Sequence, residues 1–297
     1  MPDVTVTPTT QTVTVNTGHV TINDPVFYDE FANVRYFQMF THCLDVGQFK
    51  LKTGTNSTAQ GSVTFAEEFD AMQYGVSTGE AVGIATLSTV SPSAYNALAE
   101  LTAVADTNTA INGSFSIGLG DITFRARVKI DTTSTYTTDG MRFSVGIFRF
   151  HAEAAFGGSS GVSSGNPYEY AFAWVKMRDH ATWRVLVSYY SGTAEEPVYN
   201  TYWVNTSVTI GDWHELRVDV PEDGSEARFY SDGALVQTIT RQAAGNAFPP
   251  VYSNSPLYRF NPSVSVRDAR ITGENASNKA GVIYCDYALF QYETNYF

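Results

Sequence analysis

Between Ile122 and Ile130 every second residue is apolar, and the positions between them hold Thr123, Arg125, Arg127 and Lys129. Alternation of this kind predicts a β-strand with one dry face and one polar face. The period of two returns in MRFSVGIFRF, where Phe143, Val145 and Ile147 alternate with Arg142, Ser144 and Gly146. In YEYAFAWVKMR it sets Tyr168, Tyr170, Phe172, Trp174, Lys176 and Arg178 on one side and Glu169, Ala171, Ala173, Val175 and Met177 on the other. EAVGIATLSTV, TWRVLVSYY, YNTYWVNTSVTI, WHELRVDV, VRDARITG and AGVIYCDYALFQYE continue the series, with turn-forming stretches such as SGTAEEP and PEDGS between them. In RFYSDGALVQTIT two apolar runs flank Asp232-Gly233, a pair suited to a type I′ hairpin. A two-residue loop there sets Phe229 opposite Val236 and Tyr230 opposite Leu235, with both faces sheltered. One helix is predicted: Ser91-Pro92 supplies a cap, and Leu98, Leu101 and Ala105 form a stripe, although Tyr95, Ala97, Ala99 and Leu101 also alternate as a strand does. Many short strands, at most one short helix and no alternation of strands with helices give an all-β fold, an antiparallel β-sandwich.

The first 24 residues differ from the rest. Val or Ile alternates with Thr around Pro8, and large apolar groups are few. They are expected to form an extended arm for attachment or strand exchange, with residues 25–297 as one sandwich domain. The formal charge of −12 speaks against nucleic acid, which requires a basic footprint, and leaves scope for Ca²⁺, although no cofactor is called for. No run reaches the ~20 apolar residues of a membrane span, and the start has neither the basic nor the apolar region of a signal peptide. Cys43 and Cys285 lie far apart and are expected to be free thiols, with a disulfide as the alternative.

The run GDWHELRVDV…SEARFYSDGALVQTI, together with DITFRARVKID and the closing IYCDYALFQYE, resembles concanavalin A-like lectin/glucanase and laminin-G-like domains. The resemblance implies a jelly roll of two curved sheets, the concave one open to glycans, as in surface proteins of phage virions. Motifs resembling those of its hydrolases are missing: Glu68 and Asp70 have no third carboxylate after them. HELR, His214–Arg217, matches only part of a lyase-like strand, and alternation puts His214 and Arg217 on opposite faces. His151 and Glu153 share a face beside a Gly/Ser loop, while His19, His42 and His180 form no metal set. No catalytic residues are assigned. The expectation is a non-enzymatic virion-surface structural protein, a head decoration or a tail-fibre component. It attaches to other virion proteins through residues 1–24 and forms a homo-oligomer, with a trimer as the expected closure. Its candidate glycan site, facing a host-surface polysaccharide, is Tyr168, Tyr170, Trp174, Lys176, Arg178, Arg125, Arg127 and Trp203; Trp174 and its neighbours have a place in the core as the alternative. The other functions in view are a carbohydrate-binding module and a polysaccharide lyase or glycoside hydrolase on the jelly-roll fold.

Overall fold

The computed structural model describes residues 33–39, 50–53, 62–66, 84–89, 98–102, 115–116, 118, 120–134, 137–149, 170–176, 180–192, 197–251, 259–268 and 279–293. They build two antiparallel eight-stranded sheets. The first sheet contains β1 (Asn33–Met39), β3 (Ser62–Ala66), β4 (Ile84–Ser88), β7 (Asp121–Ile130), β12 (His214–Val220), β13 (Glu226–Ser231), β14 (Ala234–Thr240) and β16 (Val282–Glu293). Its order is β14-β13-β12-β7-β16-β4-β3, with β1 also paired to β16. The second sheet contains β2 (Lys50–Thr53), β5 (Leu98–Thr102), β6 (Phe115–Ser116), β8 (Met141–Arg149), β9 (Tyr170–Lys176), β10 (Thr182–Gly192), β11 (Pro197–Thr209) and β15 (Arg259–Asp268). Its order is β11-β10-β9-β8-β15-β5-β2, with β6 beside β15.

The alternation seen in the sequence becomes the inter-sheet core. Every second residue of β7, from Ile122 to Ile130, is buried, while the residues between them are half-buried on the outer face. Phe143, Val145 and Ile147 of β8 meet this layer from the other sheet, along with Phe172, Trp174, Val185 and Val264, while Phe229 of β13 joins it from the same sheet as β7. Trp174 and Phe229 meet edge to face with centroids 6.1 Å apart. The indole Nε1 of Trp174 also donates across the sandwich to the Arg217 carbonyl at 3.0 Å.

The segment expected to be helical is a strand. Leu98–Thr102 is β5, held between β15 and β2. Ala99 and Leu101 are fully buried in the core, so alternation prevails over the helical stripe. Two ladders of backbone hydrogen bonds and the burial of both side chains outweigh an intrinsic preference worth well under ~1 kcal/mol per residue. Among the described residues the only α-helix lies elsewhere, as the single turn α1 (Arg241–Ala244), whose cap Thr240 accepts from the Ala243 amide at 3.2 Å.

The hairpin forms at Asp232-Gly233, with φ of 52° and 79° as a primed turn demands. Tyr230 pairs with Leu235 as expected, but a bulge shifts Phe229 opposite Gln237 rather than Val236. The extra residue lets both Val236 and Ile239 turn to the core, although an odd number of positions separates them. Shelter on both faces is corrected as well. β14 ends its sheet, and Leu235 is 56% exposed.

The Asp232 carboxylate ties the turn to β12, accepting from the Glu215 amide at 2.9 Å and lying 2.7 Å from His214 Nδ1. Burial, the largest single influence, pushes this carboxyl up, but the hydrogen bonds from His214 and the Glu215 amide outweigh it and hold it below its ordinary value. A depressed folded-state value means that the stabilisation is complete above the unfolded carboxylate range and is lost as pH falls through the folded value. Urea unfolding is therefore expected to show a smaller drop in stability between pH 6 and pH 3 for Asp232→Asn than for the parent. An equal drop in both would remove Asp232 from the acid response.

Candidate functional site

The candidate glycan residues among the described ones do not come together. Trp174 is fully buried in the core, as its alternative placement had it, and stacks against Phe229 rather than toward solvent. Lys176 is 1% exposed on the same inward face, its ammonium donating to the Thr138 carbonyl above the Phe143 ring. Tyr170 is described only as a backbone position of β9, and Tyr168 and Arg178 lie outside the described residues. Also outside them are Glu68, Asp70, His151 and Glu153. Alternation identified which residues share a face of β9. It could not tell which face meets the other sheet.

Arg125 and Arg127 belong to the opposite sheet, on the outer face of β7, where each already has a carboxylate. Arg127 Nη1 lies 2.9 Å from Asp286 Oδ2, and its guanidinium sits 5.0 Å from the Trp213 ring centre. Arg125 Nη1 lies 3.7 Å from Glu215 Oε1. Glu215 also accepts from the Tyr287 hydroxyl, and burial, followed by this hydrogen bond, pushes the Tyr287 phenol well above its ordinary value. Beside them Arg217 pairs with Asp219 at 2.5 Å and covers the Tyr230 ring. Cation is matched to anion across this face, which makes it a self-satisfied lattice rather than a receptor for an acidic ligand. Arg217 is part of it, while His214 is turned to Asp232, so the HELR residues separate as alternation predicts.

The outer face of the second sheet is built differently. Its side chains point away from the core, yet they are small and hidden from water. Ser144, Ser188 and Ser263 are fully buried there, as are Ala171 and Ala173. Strand register lines them up in rows. One row runs Ser263, Gly146, Ala173, Leu186, Trp203 from β15 to β11. Trp203, half-buried, packs at its end against the cluster of Phe148, Ala171, Ala173, Val175 and Leu186, and among the described residues is the one expected glycan residue on this face. The adjoining row runs Glu100, Ser265, Ser144, Val175, Arg184. In it the Ser144 and Ser265 hydroxyl oxygens are 2.5 Å apart. Ser263 Oγ has no hydrogen-bond partner among the described residues.

Three buried charged side chains complete the face. Arg267 of β15 stands directly opposite Arg142 of β8, exposed by 7% and 8% respectively. Glu100, fully buried, faces Ser265, two residues along the strand from Arg267. Withdrawing such ions from water costs several kcal/mol each, and like charges directly across a ladder repel. Two opposed guanidinium groups and one carboxylate are held here in a poorly hydrated place, where electrostatic interactions are strongest. Such an arrangement can neutralise an acidic group and pass a proton through the glutamate. Nothing in the sequence joined these residues, because their strands are neighbours only in space.

No family profile and no curated protein sequence matches the chain. Solved structures do resemble it. An endo-β-1,4-glucuronan lyase from the fungus Trichoderma reesei superposes with a TM-score of 0.52 at 11% identity, over 88% of this chain and 95% of that one. An endo-1,3-β-glucanase from Streptomyces sioyaensis gives 0.45 at 12% identity, over 87% and 95%. The laminarinase catalytic domain from Thermotoga maritima gives 0.43 at 13%, over 88% and 98%. The glucuronan lyase is an enzyme, which goes against the expectation of a non-enzymatic protein drawn from missing motifs. The chain folds as a concanavalin A-like jelly roll of two antiparallel sheets.

Proposed function

We propose that this protein acts on a uronic acid-bearing polysaccharide held on the outer face of the second sheet. The observation carrying the reading is the opposed pair Arg142 and Arg267 beside Glu100, buried on a face that points away from the core. The lyase fold shared at a TM-score of 0.52, named for a glucuronan, agrees with an acidic sugar. The guanidinium groups take the uronate carboxylate and draw off charge as Glu100 accepts the proton of the neighbouring ring carbon. A carbon–carbon double bond forms as the bond to the glycosidic oxygen breaks, and that oxygen leaves with the proton returned by Glu100. Glu100 is the proton-transfer group within the described residues. The seryl row orients hydroxyls, and Trp203 offers an aromatic surface at the far end, about 24 Å or five strand spacings from β5.

Incubation with polyglucuronate and alginate tests this. Unsaturated sugar ends are expected to appear in ultraviolet absorbance, and none from a neutral glucan. Glu100→Gln is expected to slow their release by about 10²-fold or more, the usual share of a general acid or base. Arg142→Gln is expected to weaken binding of the acidic polymer by about tenfold while leaving neutral glucans unaffected. If the parent neither cleaves nor binds acidic polysaccharide, or if folded Glu100→Gln is as active as the parent, the proposal fails. A lower melting temperature for Glu100→Gln with unchanged polymer binding would assign the three charges to structure alone.

A further inference from the structure

We propose that the outer edge of β11, away from β10, receives the amino-terminal Val/Thr segment of a second copy of this chain as an added strand. Three observations converge on that edge. β11 is 13 residues long, ends the second sheet, and has a strand partner only on its β10 side among the described residues. From Pro197 to Thr209 it has no charged residue, and Asn205, Ser207 and Thr209 are exposed along it. The other end of the same sheet is guarded in the usual way: β2 has four residues, of which Lys50 and Lys52 are charged. A long uncharged edge is a template for pairing, and main-chain hydrogen bonds to it do not depend on side-chain identity.

The occupant is set by composition and by where β1 lies in the first sheet. From Val4 to Val15 there is no charged residue, and Val4, Val6, Val13 and Val15 alternate with threonine. Such a segment suits a pleated neighbour and has too little apolar bulk to bury itself. Pro8 is consistent with an outermost strand: lacking an amide hydrogen, it is tolerated at an edge and blocks pairing of a further strand there. β1 pairs with β16 on the side away from β7, whereas β12, β13 and β14 extend on the β7 side and β11 is the matching end of the other sheet. β1, the first described strand, therefore lies on the side away from the β11 edge. A head-to-tail contact brings the arm of one copy to the edge of the next without crossing its own sheet. Contacts of this kind close into rings or extend as filaments.

Two full-length variants test the contact. Val6→Lys/Val13→Lys/Val15→Lys places charge in the arm and leaves the edge intact; Asn205→Lys/Ser207→Lys charges the edge and leaves the arm intact. The parent is expected to scatter light as an oligomer. Each variant alone is expected to be monomeric with an unchanged circular dichroism spectrum and melting temperature. Mixing the two restores one productive arm and one productive edge, so a doubling of the monomer mass is expected and nothing larger. A monomeric parent, as when the arm docks on its own chain, overturns the proposal. So does an arm variant that still associates, which would mean edge-to-edge pairing, or a mixture that stays monomeric. Polysaccharide cleavage by the monomeric variants separates this result from the fate of the proposed function.

Discussion

Replacing Trp174 by alanine is expected to destabilise the protein by about 4 kcal/mol, measured as the loss of unfolding free energy in urea. The indole is fully buried between the sheets, so its removal leaves a cavity that Phe229, 6.1 Å away, cannot fill without moving β13. The Arg217 carbonyl loses its donor from Nε1 as well. Against a total stability of about 5–15 kcal/mol, the variant is expected to be partly unfolded at moderate denaturant. Trp174→Phe keeps much of the volume but not the donor, and is expected to lose about half as much. A well-folded Trp174→Ala protein of parental stability would show that the ring lies outside the core.

Gly146→Ala is expected to be the most damaging single-methyl change. A Cβ on Gly146 would lie 2.4 Å from the Phe172 carbonyl oxygen and 2.7 Å from the Ala173 Cα and Cβ. Those atoms are mostly backbone of the neighbouring strand, which cannot rotate aside as a long side chain can. β8 and β9 must therefore separate, and a cost of about 3 kcal/mol is expected, at the upper end of the overpacking range. Gly233 gives the contrast. A Cβ there meets nothing within 4 Å, so Gly233→Ala is charged only with its φ of +79° and is expected to lose about 1 kcal/mol. Chemical denaturation of the two variants side by side checks the order. Equal losses would mean that β8 and β9 are farther apart than described.

Much of the sandwich was legible in the sequence because its signals are local. Alternation in β7 runs the length of the strand, and Asp232-Gly233 dictates its own turn. Two kinds of information were not local. Leu98, Leu101 and Ala105 fit a helical stripe as well as Ala99 and Leu101 fit a strand, and only pairing with β2 and β15 decided between them. For the site the gap was wider. Glu100, Arg142 and Arg267 come from segments more than forty residues apart in the chain, and the register of β5, β15 and β8 brings them together. Trp203 stands half-buried at the middle of β11, not beside a turn. A buried glutamate inside ALAELTA carries no local sign of its neighbours.

Cys285 is fully buried in β16, with β7 paired on one side and β4 on the other, and burial, with the neighbouring Asp286, pushes its thiol well above the ordinary value. Protonated and screened, it is unreactive toward alkylating reagents while the strand stays in place. Its modification then waits on each parting of the middle of the first sheet, so that in a Cys43→Ser background the rate of labelling becomes an internal clock for how often the protein breathes.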